Sequence, residues 1–228
     1  MSFLPFLALL ALTPEAPADA VFEVADPEYQ ACVADIEKDP EAVRRRAGQW
    51  LSEGGGAAAL YCQAVGDLAA GSAGLAAVRL EELAARSDAG DDLVRARIMS
   101  QAALAWIEAG QPKHAKSAIE RAFAYAPEGG ELYLAAAQVF LANEEYQAAI
   151  DATKTASQHG YSSPAAYVAS ARARMALLDD RGAAEDVVSA LKLEPLNVDA
   201  LTVRGELFQR GVAIDANYAR APEQGAGD

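Results

Sequence analysis

ARIMSQAALAWIEAGQPKHAKSAIERAFAYAPEG, residues 96–129, decides the fold, because its layout returns in the next two blocks of 34 residues. Met99, Ala103 and Trp106 set a pattern of large, small and aromatic side chains. Tyr133, Ala137 and Phe140 repeat it, then Tyr167, Ala171 and Arg174, and finally Leu201, Gly205 and Phe208. Residues spaced i, i+4, i+7 share one face of an α-helix, so each copy opens with an amphipathic helix. Ala makes up 55 of the 228 residues and aromatics only 7%. Ala has the best helix propensity and almost no side-chain volume, so such a chain favours many helices packed at close range. No segment alternates as a strand does, and the chain reads as all-α.

Working outward, Asp26 before Pro27 and Asp39 before Pro40 each put a capping carboxylate ahead of a proline at the first helical position. They predict helices over about 27–38 and 40–52, closed by Gly54, Gly55 and Gly56. A second hairpin fits about 58–70 and 73–86, with Tyr61, Val65 and Leu68 on one face and Ala77 and Ala84 as small contact residues. Ser87 to Asp92 reads as a loop. Strict register then starts units at 96, 130, 164 and 198, the last cut short after a helix over about 198–210. A fragment of its second helix fits 214–220 at most, and 221–228 reads as a disordered tail.

A helix-turn-helix repeat of this length resembles the tetratricopeptide repeat family. That family keeps small residues at three positions where helices cross. Here they are Ala103, Ala115 and Ala122, then Ala137, Ala149 and Ala156, then Ala171, Ala183 and Ala190. Pro127 and Pro195 stand where the family has its terminal proline, and Tyr161, Thr153 and Arg174 depart from its pattern. The resemblance covers about 58–210 well and 26–57 loosely. It implies a right-handed superhelix of antiparallel helix-turn-helix repeats, about five hairpins with one capping helix. The divisions are then 1–20 as signal peptide, 21–57 as a degenerate hairpin, 58–213 as the array and 214–228 as tail.

By the same resemblance, four positions of each first helix line a concave face. In this chain they include Arg97, Ser100, Leu104, Ile107, Glu131, Leu134, Gln138, Leu141, Val168, Arg172 and Met175. The implied function is a groove for an extended or helical peptide with apolar anchors. The Lys and Asn with which some relatives grip a C-terminal carboxylate are missing here, so that mode is not expected. First helices of neighbouring hairpins pack side by side in the family, which puts Cys32 near Cys62. A disulfide follows if the chain is exported, two buried thiols if it stays in the cytoplasm.

Residues 1–20 have the layout of an export signal: an apolar run from Phe3 to Leu12, then small residues ending at Ala18 and Ala20. The amino-terminal region has no Lys or Arg beyond its terminal amine. A net charge of −14 disfavours nucleic acid and anionic membrane surfaces as partners. The two histidines, His114 and His159, lie in different units, and no nucleophile–base pair or phosphate loop stands out. Paired acids at Asp91–Asp92, Glu144–Glu145 and Asp179–Asp180 suit helix starts rather than a metal site. The expectation is therefore a non-catalytic scaffold without metal or cofactor, periplasmic or otherwise exported. It binds a peptide or protein segment of the cell envelope and is not inserted in the membrane once the signal is removed. The alternative is a structural module that uses the same apolar face to form a homodimer, with an enzyme a distant third.

Overall fold

The structure, a computed structural model, describes residues 26–214, so the signal-like segment 1–20 and the tail from 215 onward lie outside it. Every regular element among the described residues is an α-helix. They are α1 (Pro27–Asp35), α2 (Pro40–Ser52), α3 (Gly56–Ala69), α4 (Ala73–Ala85), α5 (Asp92–Glu108) and α6 (Pro112–Tyr125). After these come α7 (Leu132–Ala142), α8 (Tyr146–Gln158), α9 (Pro164–Ala176), α10 (Asp180–Leu193) and α11 (Val198–Gln209). The chain divides into two compact units, Met1–Ala135 and Ala136–Asp228, with the boundary inside α7. Within each unit, helices consecutive in sequence pack on one another.

Local chemistry sets the helix starts. Asp26 accepts from the backbone N–H groups of Glu28 and Tyr29, and Asp39 from that of Ala42. Asp91 and Asp179 cap α5 and α10 through Val94 and Gly182. The first acid of two of the three pairs is thus a capping group. Because Asp91 caps, α5 begins at Asp92, four residues ahead of the start of the periodic block. Each later hairpin turns on a left-handed residue at one repeat position: Gly110 (φ 70°), Glu144 (φ 61°) and Leu178 (φ 64°).

All nine alanines at the crossing positions, from Ala103 to Ala190, are fully buried at 0% exposure. Packing at their methyl groups brings helix backbones close, and dispersion grows with the number of atoms in contact. Two of the departures, Thr153 and Arg174, are accommodated by hydrogen bonding, and Tyr161 is exposed. Thr153, where a large residue is usual, is buried, and its hydroxyl donates to the carbonyls of Ala149 and Ala166 at 3.1 and 3.0 Å. This ties α8 to α9. In α3 Tyr61 is buried as the sequence suggests, but Val65 and Leu68 are only half-buried, and Leu60, Ala64 and Asp67 are buried beside it.

Cys32 on α1 and Cys62 on α3 form a disulfide, with Cα atoms 6.1 Å apart. It closes a sequence separation of 30, which by the chain-entropy argument stabilises the fold by about 3.6 kcal/mol. The nine-residue α1 is held besides by buried Tyr29 and by Arg46 of α2, which donates to Asp35 at 2.9 Å. A structural disulfide fits an oxidising compartment. No helix among the described residues is long and apolar enough to cross a membrane.

Candidate functional site

The residues expected to line a binding face fall in both units, and each unit presents them in its own way. In the first unit, Arg97, Ser100, Leu104 and Ile107 stand on α5, Leu134 on the first turn of α7, and Glu131 just ahead of it. Arg97 donates to both carboxylate oxygens of Glu131, Nε to Oε1 at 2.5 Å and Nη2 to Oε2 at 3.1 Å. The two residues are 34 apart and hold the same position in successive repeats. Both side chains are about one-fifth exposed, so this bidentate pair is shielded enough to orient the two helices. Leu104 is buried at 9% exposure; Ser100, Ile107 and Leu134 are half-buried.

In the second unit, Gln138 and Leu141 lie on α7 and are half-buried. Val168 and Met175 on α9, each 7% exposed, belong to the hydrophobic core of this unit. They pack with Ala171, Val187, Leu191, Val203 and Leu207. Arg172 stands between them on the exposed side and pairs with Glu206 of α11 at 3.7 Å, again 34 residues away at the equivalent position. This second pair is more exposed than the first and therefore weaker. The partly accessible members of the expected set are thus Arg97, Ser100, Ile107, Glu131, Leu134, Gln138, Leu141 and Arg172. Leu104, Val168 and Met175 are spent on packing between helices.

The polar clusters elsewhere serve structure. Asp67 is completely buried and meets two guanidiniums, Arg44 of α2 at 3.8 Å and Arg79 of α4. Burial, then the nearby Arg44 charge, pushes the Arg79 guanidinium down from its ordinary value. A buried carboxylate between two cations fastens three helices, and losing either cation would strand it. Gly66, next to Asp67, allows this closeness: a Cβ there would lie 3.2 Å from the Arg44 backbone.

At the repeat position of Trp106 the third copy carries Arg174. Its Nε donates to Asp186 Oδ2 at 2.9 Å and its Nη1 to Asp179 Oδ2 at 2.6 Å. Buried Ser170 donates to the same Asp186 oxygen at 2.6 Å. Burial pushes the Asp186 carboxyl up from its ordinary value, against the Ser170 and Arg174 interactions. The capping bond from Gly182 and the pairing with Arg174 hold Asp179 low. His114 is exposed and stacks on Trp106 with ring centroids 4.9 Å apart, and His159 is the exposed C-terminal cap of α8. Among the described residues no three His, Cys, Asp or Glu side chains are grouped to hold a metal ion.

Sequence reasoning passed over Arg210. It donates to Asp180 at 2.6 Å and to the Met175 carbonyl at 3.2 Å, which locks the end of α11 to the turn between α9 and α10. A basic residue at a helix end was the only sequence signal for it. No known family model, curated protein or solved structure matches this chain.

Proposed function

We propose that this chain is an exported, periplasmic scaffold of the tetratricopeptide-repeat kind, which binds a segment of another envelope protein on its first-helix face. The observation that carries this reading is the pair of same-position ion pairs, Arg97–Glu131 and Arg172–Glu206. Each bridges residues 34 apart, so in both units the first helices of successive repeats set equivalent residues beside each other. Side chains at one repeat position within a unit then form rows, and in the first unit Ile107 and Leu134 supply apolar anchors of the type a bound helix or extended peptide uses. The disulfide supports the oxidising compartment that an exported protein meets.

The reading is tested by Ile107→Asp with Leu134→Asp in the full mature chain. Capture of an envelope protein from a periplasmic extract should be lost while helicity by circular dichroism is retained. Undiminished capture by the doubly substituted chain would refute the assignment. Light scattering separates this from self-association, because a stable dimer that the same substitutions dissociate would favour the homodimer.

A further inference from the structure

The two helices of the first hairpin are held in different ways. In α1 only Tyr29 and Cys32 are buried, and Asp35 adds its surface pair with Arg46. The helix packs on α2 and α3. A free helix of nine residues does not persist in water, because its few hydrogen bonds do not offset the cost of nucleation. α1 is therefore helical only while it is docked.

α2 is anchored without help from α1. Asp39 supplies its N-cap, accepting from the Ala42 N–H at 2.9 Å, and Pro40 starts the helix. Two glycines then bring α2 against α3. At Gly66 of α3 a Cβ would lie 3.2 Å from the Arg44 backbone, and Arg44 also reaches buried Asp67 at 3.8 Å. At Gly48 of α2 a Cβ would stand 3.0 Å from the side-chain nitrogen of Gln63. α3 itself buries eight residues, from Ala57 to Asp67, and needs no covalent tie to stay in place.

The disulfide thus falls on the helix that needs it. Cys62 is fully buried and Cys32 is 6% exposed. Beside the bond is a crevice of about 10 Å³, lined by both cysteines with Val43, Ala47 and Trp50. That volume holds one water and no thiol reagent, so α1 must fray before the bond can be attacked. The sulfur then within reach is that of Cys32. A thiolate of the reductant attacks it, the S–S bond breaks, and Cys62 leaves as a thiolate and takes a proton. The second thiol of the reductant attacks the mixed disulfide, frees Cys32 as a thiol and ends in a disulfide of its own.

We infer that the Cys32–Cys62 bond is a redox latch: a dithiol reductant releases residues 27–35, lays the Cys62 thiol bare and leaves α2 and the helices after it folded. This goes beyond the first-helix face and holds whatever that face binds. The test is the full chain in native buffer with dithiothreitol as the reductant, read by amide exchange and by iodoacetamide labelling of peptides. Reduction should speed exchange in α1 by about a hundredfold, the scale of the lost constraint, and leave α2 and α3 within about threefold. Both thiols should then be alkylated, although Cys62 is fully buried in the oxidised chain. Cys32→Ala without reductant should show the same fast exchange in α1. Slow exchange there, in the reduced chain or in Cys32→Ala, would mean that α1 stays docked without the bond and would overturn the inference. So would a Cys62 that resists alkylation after reduction. Equal acceleration in α1, α2 and α3 would contradict it in another way, because the bond would then hold the whole hairpin.

Discussion

Trp106 and Arg174 occupy the same place in two copies of one repeat and fill it by opposite means. In the first unit an indole, 7% exposed, lies between helices, and its Nε1–H donates to Glu81 at 2.7 Å. Arg121 steadies that carboxylate at 2.6 Å. In the second unit a guanidinium spans Asp186 and Asp179, with Ser170 completing the set. The position therefore accepts a bulky side chain of either kind, provided that a polar tip, where there is one, is satisfied. In each unit a carboxylate from a neighbouring helix answers the side chain, Glu81 for Trp106 and Asp186 for Arg174. An apolar site and a charged site are interchangeable there only because the partners changed with them.

The largest expected effect is at the aromatic copy. Trp106→Ala removes a buried ring and should destabilise the chain by about 3–5 kcal/mol in urea unfolding followed by circular dichroism. Arg174→Ala leaves Asp186 without its cation. Because the pair is partly exposed, the loss should be smaller, about 2 kcal/mol. An equal or larger loss at Arg174 would mean that the ion network, not packed volume, dominates this position.

The crossing alanines should not distinguish the two units. Ala115→Leu and Ala183→Leu, both at fully buried sites, are each expected to cost about 1–3 kcal/mol by overpacking. A substitution tolerated in one unit alone would show that its helices are less closely packed.

The smallest effect is a pH dependence confined to the charged copy. Burial raises the folded-state pKa of Asp186 above its unfolded value, so between the two values the native chain holds a proton that the unfolded chain has released. Its contribution to stability is therefore present below the unfolded pKa and is lost as pH rises through the folded one. The stability of the native chain relative to Asp186→Asn should accordingly grow as pH falls toward the ordinary carboxylate range. A difference that shrinks on acidification would contradict the assigned sign.

The register was legible because alanine at a crossing point admits little else, and its period survives single departures such as Arg174. The face was less legible. Val168 and Met175 sit at positions read as groove-lining, yet close packing at Ala171 lets these longer neighbours reach the core of the second unit. Asp67 was hidden for another reason. Its partners Arg44 and Arg79 lie on two other helices, and local pattern carries no record of such a meeting. The one available hint was a lone acid on the stripe of Leu60 and Ala64.

The central claim is that the first-helix face is where a partner lies. A photoreactive residue placed in turn at Ile107 and Leu134, with exposed Lys113 and Glu120 as controls, tests it most directly in intact cell envelopes. The account predicts one and the same envelope protein cross-linked from both face positions and not from the controls. Equal yields from all four positions, or links only to further copies of this chain, would contradict it.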